Sequence, residues 1–155
     1  MGVEIERKFL IINDSWRAHA EQGVAFEQGY LTTSNKCSVR ARIEGDSANL
    51  TIKSAGLDIR RDEFVYSVPL ADARIFLDKM CSTGTIKKTR YIVYDDTNRW
   101  EIDEFHGMNS GLFVAEIELT SREQFFMKPN WVGEEVSGMA NYMNSSLVYH
   151  PFCQW

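Results

Sequence analysis

The sequence predicts a mainly β protein of the α+β kind: eight antiparallel strands forming a meander or closed barrel, with a few flanking helices. Three observations carry this reading. Polar and apolar residues alternate with period two over eight separate segments. Turn-forming clusters stand between several consecutive segments at hairpin distance. Helical spacing is confined to three stretches. No composition shift, internal repeat or low-complexity run divides the 155 residues, so 1–155 read as a single domain large enough for its own core.

The strands are expected at 3–11, 26–33, 37–45, 48–54, 61–68, 86–95, 98–106 and 113–120. In the first, Glu4, Glu6 and Lys8 fall on one face and Val3, Ile5, Arg7 and Phe9 on the other, because residues two apart in a strand share a side. "EGDSAN" between the third and fourth strands and "DDTN" after Tyr94 read as hairpin loops; "SAGLD" at 54–58 is a glycine-containing connection and "HGMNSG" at 106–111 a longer loop. Pro69 closes the fifth strand. After it, Leu70, Ala73, Phe76, Leu77 and Met80 recur at helical spacing and predict a helix over 70–80. "SREQFF" at 121–126 predicts a short helix starting at Ser121 with Gln124 at the capping-box position, and 137–149 predicts a C-terminal helix.

The period-two test gives nearly every strand one ionised face. Arg40 pairs with Arg42, Lys88 with Arg90, Glu101 with Asp103, and Glu116 with Glu118; Lys53 shares a face with Thr51, and Arg61 and Glu63 share one with Val65. Acidic pairs lie on the first, seventh and eighth strands, and basic ones on the third and sixth. A sheet wetted on one side also alternates, but such a face ordinarily mixes Thr, Ser, Gln and Lys. Like charges side by side are destabilising, so repeated same-sign pairs point to something of opposite charge between them. Clustered carboxylates are hard oxygen ligands for Mg²⁺, Mn²⁺ or Ca²⁺. Clustered Arg and Lys match a phosphate-rich anion. If the sheet closes, these faces line a lumen that would hold a metal–polyphosphate complex.

Other chemistries find no support. Net charge is −5 with 44% hydrophobic and 25% charged residues, which fits a folded globular chain and disfavours nucleic acid as a partner. No apolar run is long enough to span a membrane, and no cleavable signal pattern opens the chain. Cys37, Cys81 and Cys153 are odd in number and widely spaced, as in a reduced cytoplasmic protein, and read as packed thiols. There is no G-x-x-x-x-G-K-[ST] loop. His19, His106 and His150 lack metal-ligand spacing.

"EIERK" at 4–8 matches the ExExK signature of the CYTH superfamily, the triphosphate tunnel metalloenzymes. The resemblance continues in family order through "QGYLT" (28–32), "VRARI" (39–43), "LTIKS" (50–54), "RRDEF" (60–64), "KKTRY" (87–91), "WEIDEF" (100–105), "AEIEL" (115–119), "GEEVS" (133–137) and "YMN" (142–144), covering nearly the whole chain. The chain looks most like the compact bacterial inorganic triphosphatases. The resemblance implies a closed eight-stranded antiparallel tunnel that binds a triphosphate with Mg²⁺ or Mn²⁺, often in a homodimer. It implies Glu4, Glu6, Glu116, Glu118 and Asp103 as metal-site carboxylates. It implies Lys8, Arg40, Arg42, Lys53, Lys88 and Arg90 as triphosphate-binding bases, with Tyr30 in support and Arg61 and Glu63 at the substrate. Glu4, Glu6, Lys8, Lys88 and Arg90 would carry catalysis. Two positions depart from the family pattern: Val65, where several relatives have an acidic residue, and "SSL" at 145–147, where some have a lysine. The expected reaction is hydrolysis of inorganic triphosphate to phosphate and diphosphate. The alternatives are an organic triphosphate as substrate, adenylate cyclisation, or polyphosphate binding without turnover.

Overall fold

The structure, a computed structural model, describes residues 2–95 and 98–155; the tip of the expected "DDTN" turn, Asp96 and Thr97, lies outside them. Ten strands are present: β1 (Glu4–Ile11), β2 (Val24–Thr33), β3 (Cys37–Glu44), β4 (Ser47–Ser54), β5 (Arg60–Arg61), β6 (Glu63–Ser67), β7 (Ile86–Asp95), β8 (Asn98–Phe105), β9 (Phe113–Glu118) and β10 (Val132–Glu135). All pair antiparallel, in the order β10-β1-β9-β8-β7-β2-β3-β4-β6, with β5 against β1 off that path.

The expected eight-stranded closed barrel is therefore corrected on two counts. The segment 61–68 divides at Asp62, which exchanges hydrogen bonds with Ser54 through its own N–H and carbonyl. Before it, Arg61 and Arg60 lie opposite Glu4 and Ile5 of β1; after it, Glu63–Ser67 pair with β4. The tenth strand, Val132–Glu135, lies against the far end of β1; its sequence "VGEE" carries no alternation to reveal it. The ladder does not close on itself. It curls until β5, and two backbone hydrogen bonds between Gly2 and Glu63 (3.1 and 3.4 Å), bring its β6 end back beside β1.

Helices are shorter than their sequence signals. The expected 70–80 helix is α-helical over Leu70–Ile75 (α1) and widens into a π-turn over Phe76–Met80, where the Cys81 N–H reaches back five residues to the Phe76 carbonyl. At 121–126 no helix forms. Gln124 does reach back, accepting from the Thr120 N–H and hydroxyl, but Phe126 then packs edge-on against Phe9 and Trp100, and Pro129 lacks the donor a helix needs. The 137–149 helix is broken into a 3₁₀ turn, Ala140–Tyr142, and a single turn, α2 (Asn144–Leu147), because Met143 between them is extended (ψ 135°). This stretch is rich in Gly, Asn and Ser, all weak helix formers.

Apolar outer faces are covered in two places. Over β1, β9, β8 and β7, a cluster of Phe9, Trp16, Trp100, Ile102, Ile117 and Trp131 is sealed by the 3₁₀ turn Ser15–His19 and the 119–132 segment. Over β3 and β4, α1 and its π-turn bury Ala41, Ile43 and Ala48 under Ala73 and Leu77. The π-turn lies so close to β2 that a Cβ on Gly29 would stand 2.7 Å from the Cys81 sulfur. Inside the curl, each strand changes character along its length. Leu10, Ile86, Phe105 and Val114 share faces with the ionised pairs, yet they pack with Leu112 and Leu147 into an apolar plug at one end. The ionised residues occupy the rest.

Candidate active site

Strand register builds the site. On one side Glu6 faces Glu118, Lys8 faces Glu116, and Glu116 faces Glu101. On the other, Arg40 faces Tyr30 and Thr51, Arg42 faces Gln28 and Asn49, and Lys53 faces Glu63. An acidic wall from β1, β8 and β9 thus looks across a cavity of about 320 Å³ at a basic wall from β3 and β4, with Arg90 and Arg61 at the two junctions. Of the fourteen site residues expected from the strand faces and the resemblance, Glu4, Glu6, Lys8, Tyr30, Arg40, Arg42, Lys53, Arg61, Glu63, Arg90, Glu116 and Glu118 line the cavity, while Lys88 and Asp103 do not.

The ion pairs are asymmetric. Glu116 accepts from Lys8 (2.8 Å) and Arg90 (2.7 Å); burial alone would raise its pKa, but those two cations hold it well below the ordinary carboxylate value. Glu4 is paired with Lys53, with Arg61 at 4.0 Å. Glu6 has only Lys8 at 4.0 Å, and burial followed by the charge of Glu116 pushes its pKa up. Glu118 is raised too, by partial burial and then by Glu4, Glu101 and Glu6. On the basic wall, burial and then the charges of Arg40 and Arg90 press Arg42 down to about 10, although Glu44 (3.1 Å) opposes them. Arg40 donates to Thr51 (3.0 Å) and stands 4.0 Å from Glu63; among the described residues neither its buried Nε nor that of Arg61 has a partner. Each wall therefore carries surplus charge of its own sign.

That surplus bears on what the cavity accepts. No group of three acid, Cys or His side chains is arranged for metal ligation among the described residues, because Glu4, Glu101 and Glu116 are each drawn to a base. The donor set nevertheless fits a hard divalent cation: oxygen ligands only, with Glu6 and Glu118 held near each other by register and short of positive charge. The unpartnered guanidinium N–H groups opposite fit phosphate oxygens.

Lys88 and Asp103, expected from the resemblance at the triphosphate and the metal, lie deeper on the same inner face, beside the apolar plug, with no exposed side-chain surface, and are paired to each other. Burial forces Lys88 down to about 7 against the pull of Asp103. Asp103 is lowered: burial acts against this, but Arg90 and Lys88 overrule it. Glu101 takes the cavity position instead, bonded to Arg90 and Arg99. The i, i+2 pair Glu101/Asp103 was legible; which member reaches the cavity depends on where along β8 the apolar plug begins. Phe26 was not foreseen. Its ring lies on the same inner face, within 5.2–5.8 Å of Arg42, Arg90 and Lys88. Val65 lines the cavity, as its parity with Arg61 and Glu63 implies. Met143, Asn144 and Ser145 also reach it from the C-terminal segment, where the resemblance marks "YMN" (142–144) and the departure "SSL" (145–147) without naming these three as site residues.

A curled antiparallel sheet enclosing opposed acidic and basic walls defines a class of protein that holds a polyanion beside a cation. The chain belongs to the CYTH domain family, whose profile matches residues 2–148. It is 41% identical over 152 residues to an inorganic triphosphatase of Acetivibrio thermocellus, covering 98% of this chain and 97% of that one. It is 34% identical over 150 residues to an inorganic triphosphatase of Nitrosomonas europaea, covering 94% and 96%. Among solved structures, the crystal structure of an inorganic triphosphatase superposes with a TM-score of 0.66 at 32% identity, over 96% of this chain and 95% of that one. No helix among the described residues is long and apolar enough to cross a membrane.

Proposed function

We propose that this chain hydrolyses inorganic triphosphate to phosphate and diphosphate, with Mg²⁺ or Mn²⁺ as cofactor. The observation that carries the reading is the facing of the two walls across one 320 Å³ cavity in which Tyr30 is the single aromatic among the described lining residues. Beside Tyr30, only Val65 and Met143 among the described lining residues offer a nucleobase or thiamine ring apolar surface, whereas a bare phosphate chain meets charge along its length. The names of the relatives agree with this reading.

In this reading Arg40, Arg42, Lys53 and Arg61 grip the phosphate oxygens, and Lys8 and Arg90 reach them from the acidic side. Glu4, Glu6, Glu116 and Glu118 would hold the cation, with Glu101 beside them. A bound divalent ion supplies charge neutralisation at the reacting phosphate and a more acidic bound water. Lys53 and Lys8 are now paired to Glu4 and Glu116. A phosphate chain in the cavity would compete with Glu4 and Glu116 for these two bases, and the carboxylates so freed would be the ones to hold the cation. The three free thiols suit a reducing compartment such as the cytoplasm, and the exposed Phe64 and Tyr66 on β6 offer a face for a homodimer.

Phosphate release from inorganic triphosphate, followed with Mg²⁺, with Mn²⁺ and with EDTA, tests the proposal. One phosphate and one diphosphate per substrate, lost in EDTA, is the expected result. Binding without release would leave a polyphosphate-binding protein, and release undiminished by EDTA would remove the metal from the account.

A further inference from the structure

Arg90 touches the acidic wall at several points, and its orientation is fixed by the buried Asp103 deeper on the inner face. Asp103 accepts from Nε on one oxygen and from Nη2 on the other, both at 2.7 Å, so the guanidinium plane and the carboxylate plane are locked side by side. Nη2 continues to Glu116 at 2.7 Å, and Nη1 reaches Glu101. Lys88 donates to the same Asp103 oxygen that Nη2 uses. The rest of its ammonium faces the rings of Phe105 (5.5 Å) and Phe26 (5.8 Å), and neither Lys88 nor Asp103 has side-chain surface open to the cavity.

We propose that Lys88 and Asp103 are positioning residues: the pair sets the plane of the Arg90 guanidinium, and neither touches triphosphate or cation. The inference rests on the reading of the cavity as a triphosphate site. It gives the "KKTRY" and "WEIDEF" segments different work from a direct ligand set. Asp103, as a metal ligand, would have to abandon three charge-assisted hydrogen bonds and leave its buried seat beside the plug. Lys88, as a phosphate contact, would have to leave the only carboxylate paired with it in a site without water access. As a clamp, both stay where they are. Arg90 is then held ready to carry Glu116 on one side and a phosphate oxygen on the other, without reorganising when substrate enters.

The clamp predicts a sign that simple electrostatics does not. Asp103→Asn removes a negative charge from beside a polyanion site, which by Coulomb attraction alone should tighten the grip on triphosphate. Loss of Arg90's orientation should loosen it. The test measures the Kd of the non-hydrolysable imido analogue of triphosphate in Mg²⁺ by calorimetry, together with the Mg²⁺ dependence of turnover. Asp103→Asn is expected to raise Kd about tenfold, the size of one well-placed hydrogen bond to a charged group. In an Arg90→Ala background the same change should have no further effect, and half-saturating Mg²⁺ should move by less than about twofold, since no ligand is lost. Tighter binding in Asp103→Asn, an undiminished effect without Arg90, or a large rise in the Mg²⁺ requirement each overturns the clamp. If Asp103→Asn fails to fold with Lys88 left unpaired, Lys88→Met/Asp103→Asn replaces it, with the same expected and overturning results. A wild-type chain that binds the analogue but cleaves no triphosphate defeats the hydrolase reading alone, and the clamp is still decided by Kd. A chain that does not bind the analogue defeats both.

Discussion

Arg40 is the residue whose removal should separate binding from folding most cleanly. Among the described residues its guanidinium has one neutral hydrogen-bond partner, Thr51 at 3.0 Å, a carboxylate no nearer than 4.0 Å, and a buried Nε with no partner. At least two N–H groups are therefore open to a phosphate. Hydrogen bonds to charged groups are worth about 1.5–3 kcal/mol each, and losing two with some compensation by water should cost about 2–3 kcal/mol, a rise in Kd of roughly 30- to 150-fold in Arg40→Ala. The fold should barely notice. The bond to Thr51 contributes about 1 kcal/mol, and its loss is offset because Arg40 is one of the two charges that, after burial, depress Arg42. Calorimetric titration with the imido analogue of triphosphate at fixed Mg²⁺, paired with a thermal melt, reads both quantities. An Arg40→Ala protein that binds within about twofold of wild type would refute the placement of this guanidinium at the phosphate chain.

Glu6→Gln should cut turnover at limiting Mg²⁺ by at least about tenfold, since even outer-shell changes at metal sites cost about 10- to 100-fold. Its melting temperature should hold or rise, because the cavity already favours the neutral form of this side chain; activity against Mg²⁺ concentration and a melt check the two halves. Because Glu6 and Glu118 sit above the ordinary 4.5, they take up protons early on acidification, so the Mg²⁺ needed for half-maximal rate should begin to climb above pH 4.5, and a titration of that requirement against pH would show it. For stability the two sets of acids act oppositely. The raised Glu6 and Glu118 contribute fully below 4.5 and lose that contribution as pH rises through their folded values; the lowered Glu116 and Asp103 contribute fully above their ordinary values and lose it as pH falls through their folded ones. Gly29→Ala places a methyl group 2.7 Å from the Cys81 sulfur and 3.3 Å from Leu77, and should cost about 1–3 kcal/mol in denaturant melts while leaving KM unchanged in the residual folded enzyme.

Most of the sheet could be read from alternation because its two faces differ so sharply: ionised within, apolar without. The seven strands that cross the sheet intact announce themselves for that reason. The features that escaped are those whose cause lies elsewhere in space. Strand β10 has no pattern of its own and exists because β1 offers it an edge. The break at Asp62 follows from a hydrogen-bond exchange with Ser54, eight residues back along the chain. The Gln124 side chain reaches back as a capping signal would have it, but to Thr120 in place of the expected Ser121, and the segment is then drawn straight by the seat between Phe9 and Trp100 that Phe126 fills. At the site, parity showed which charged residues share a face, and twelve of the fourteen expected from the strand faces and the resemblance reach the cavity. Depth along the strand was not legible. Lys88 and Asp103 have the right parity but sit at the level where Phe26 and Phe105 begin the apolar end, so they became a buried pair, while Glu101, one step nearer the opening, reached the cavity.

The central claim is that the two walls select a bare phosphate chain. It is tested most directly by kcat/KM for inorganic triphosphate, ATP and thiamine triphosphate, measured side by side on the wild-type protein in Mg²⁺. Free triphosphate carries the most charge and needs no surface for a ring, so its ratio should be the highest of the three, and all three should fall together in EDTA. A higher ratio for either organic substrate would contradict the account, and cyclic nucleotide with diphosphate as the products of ATP would replace it with a cyclase.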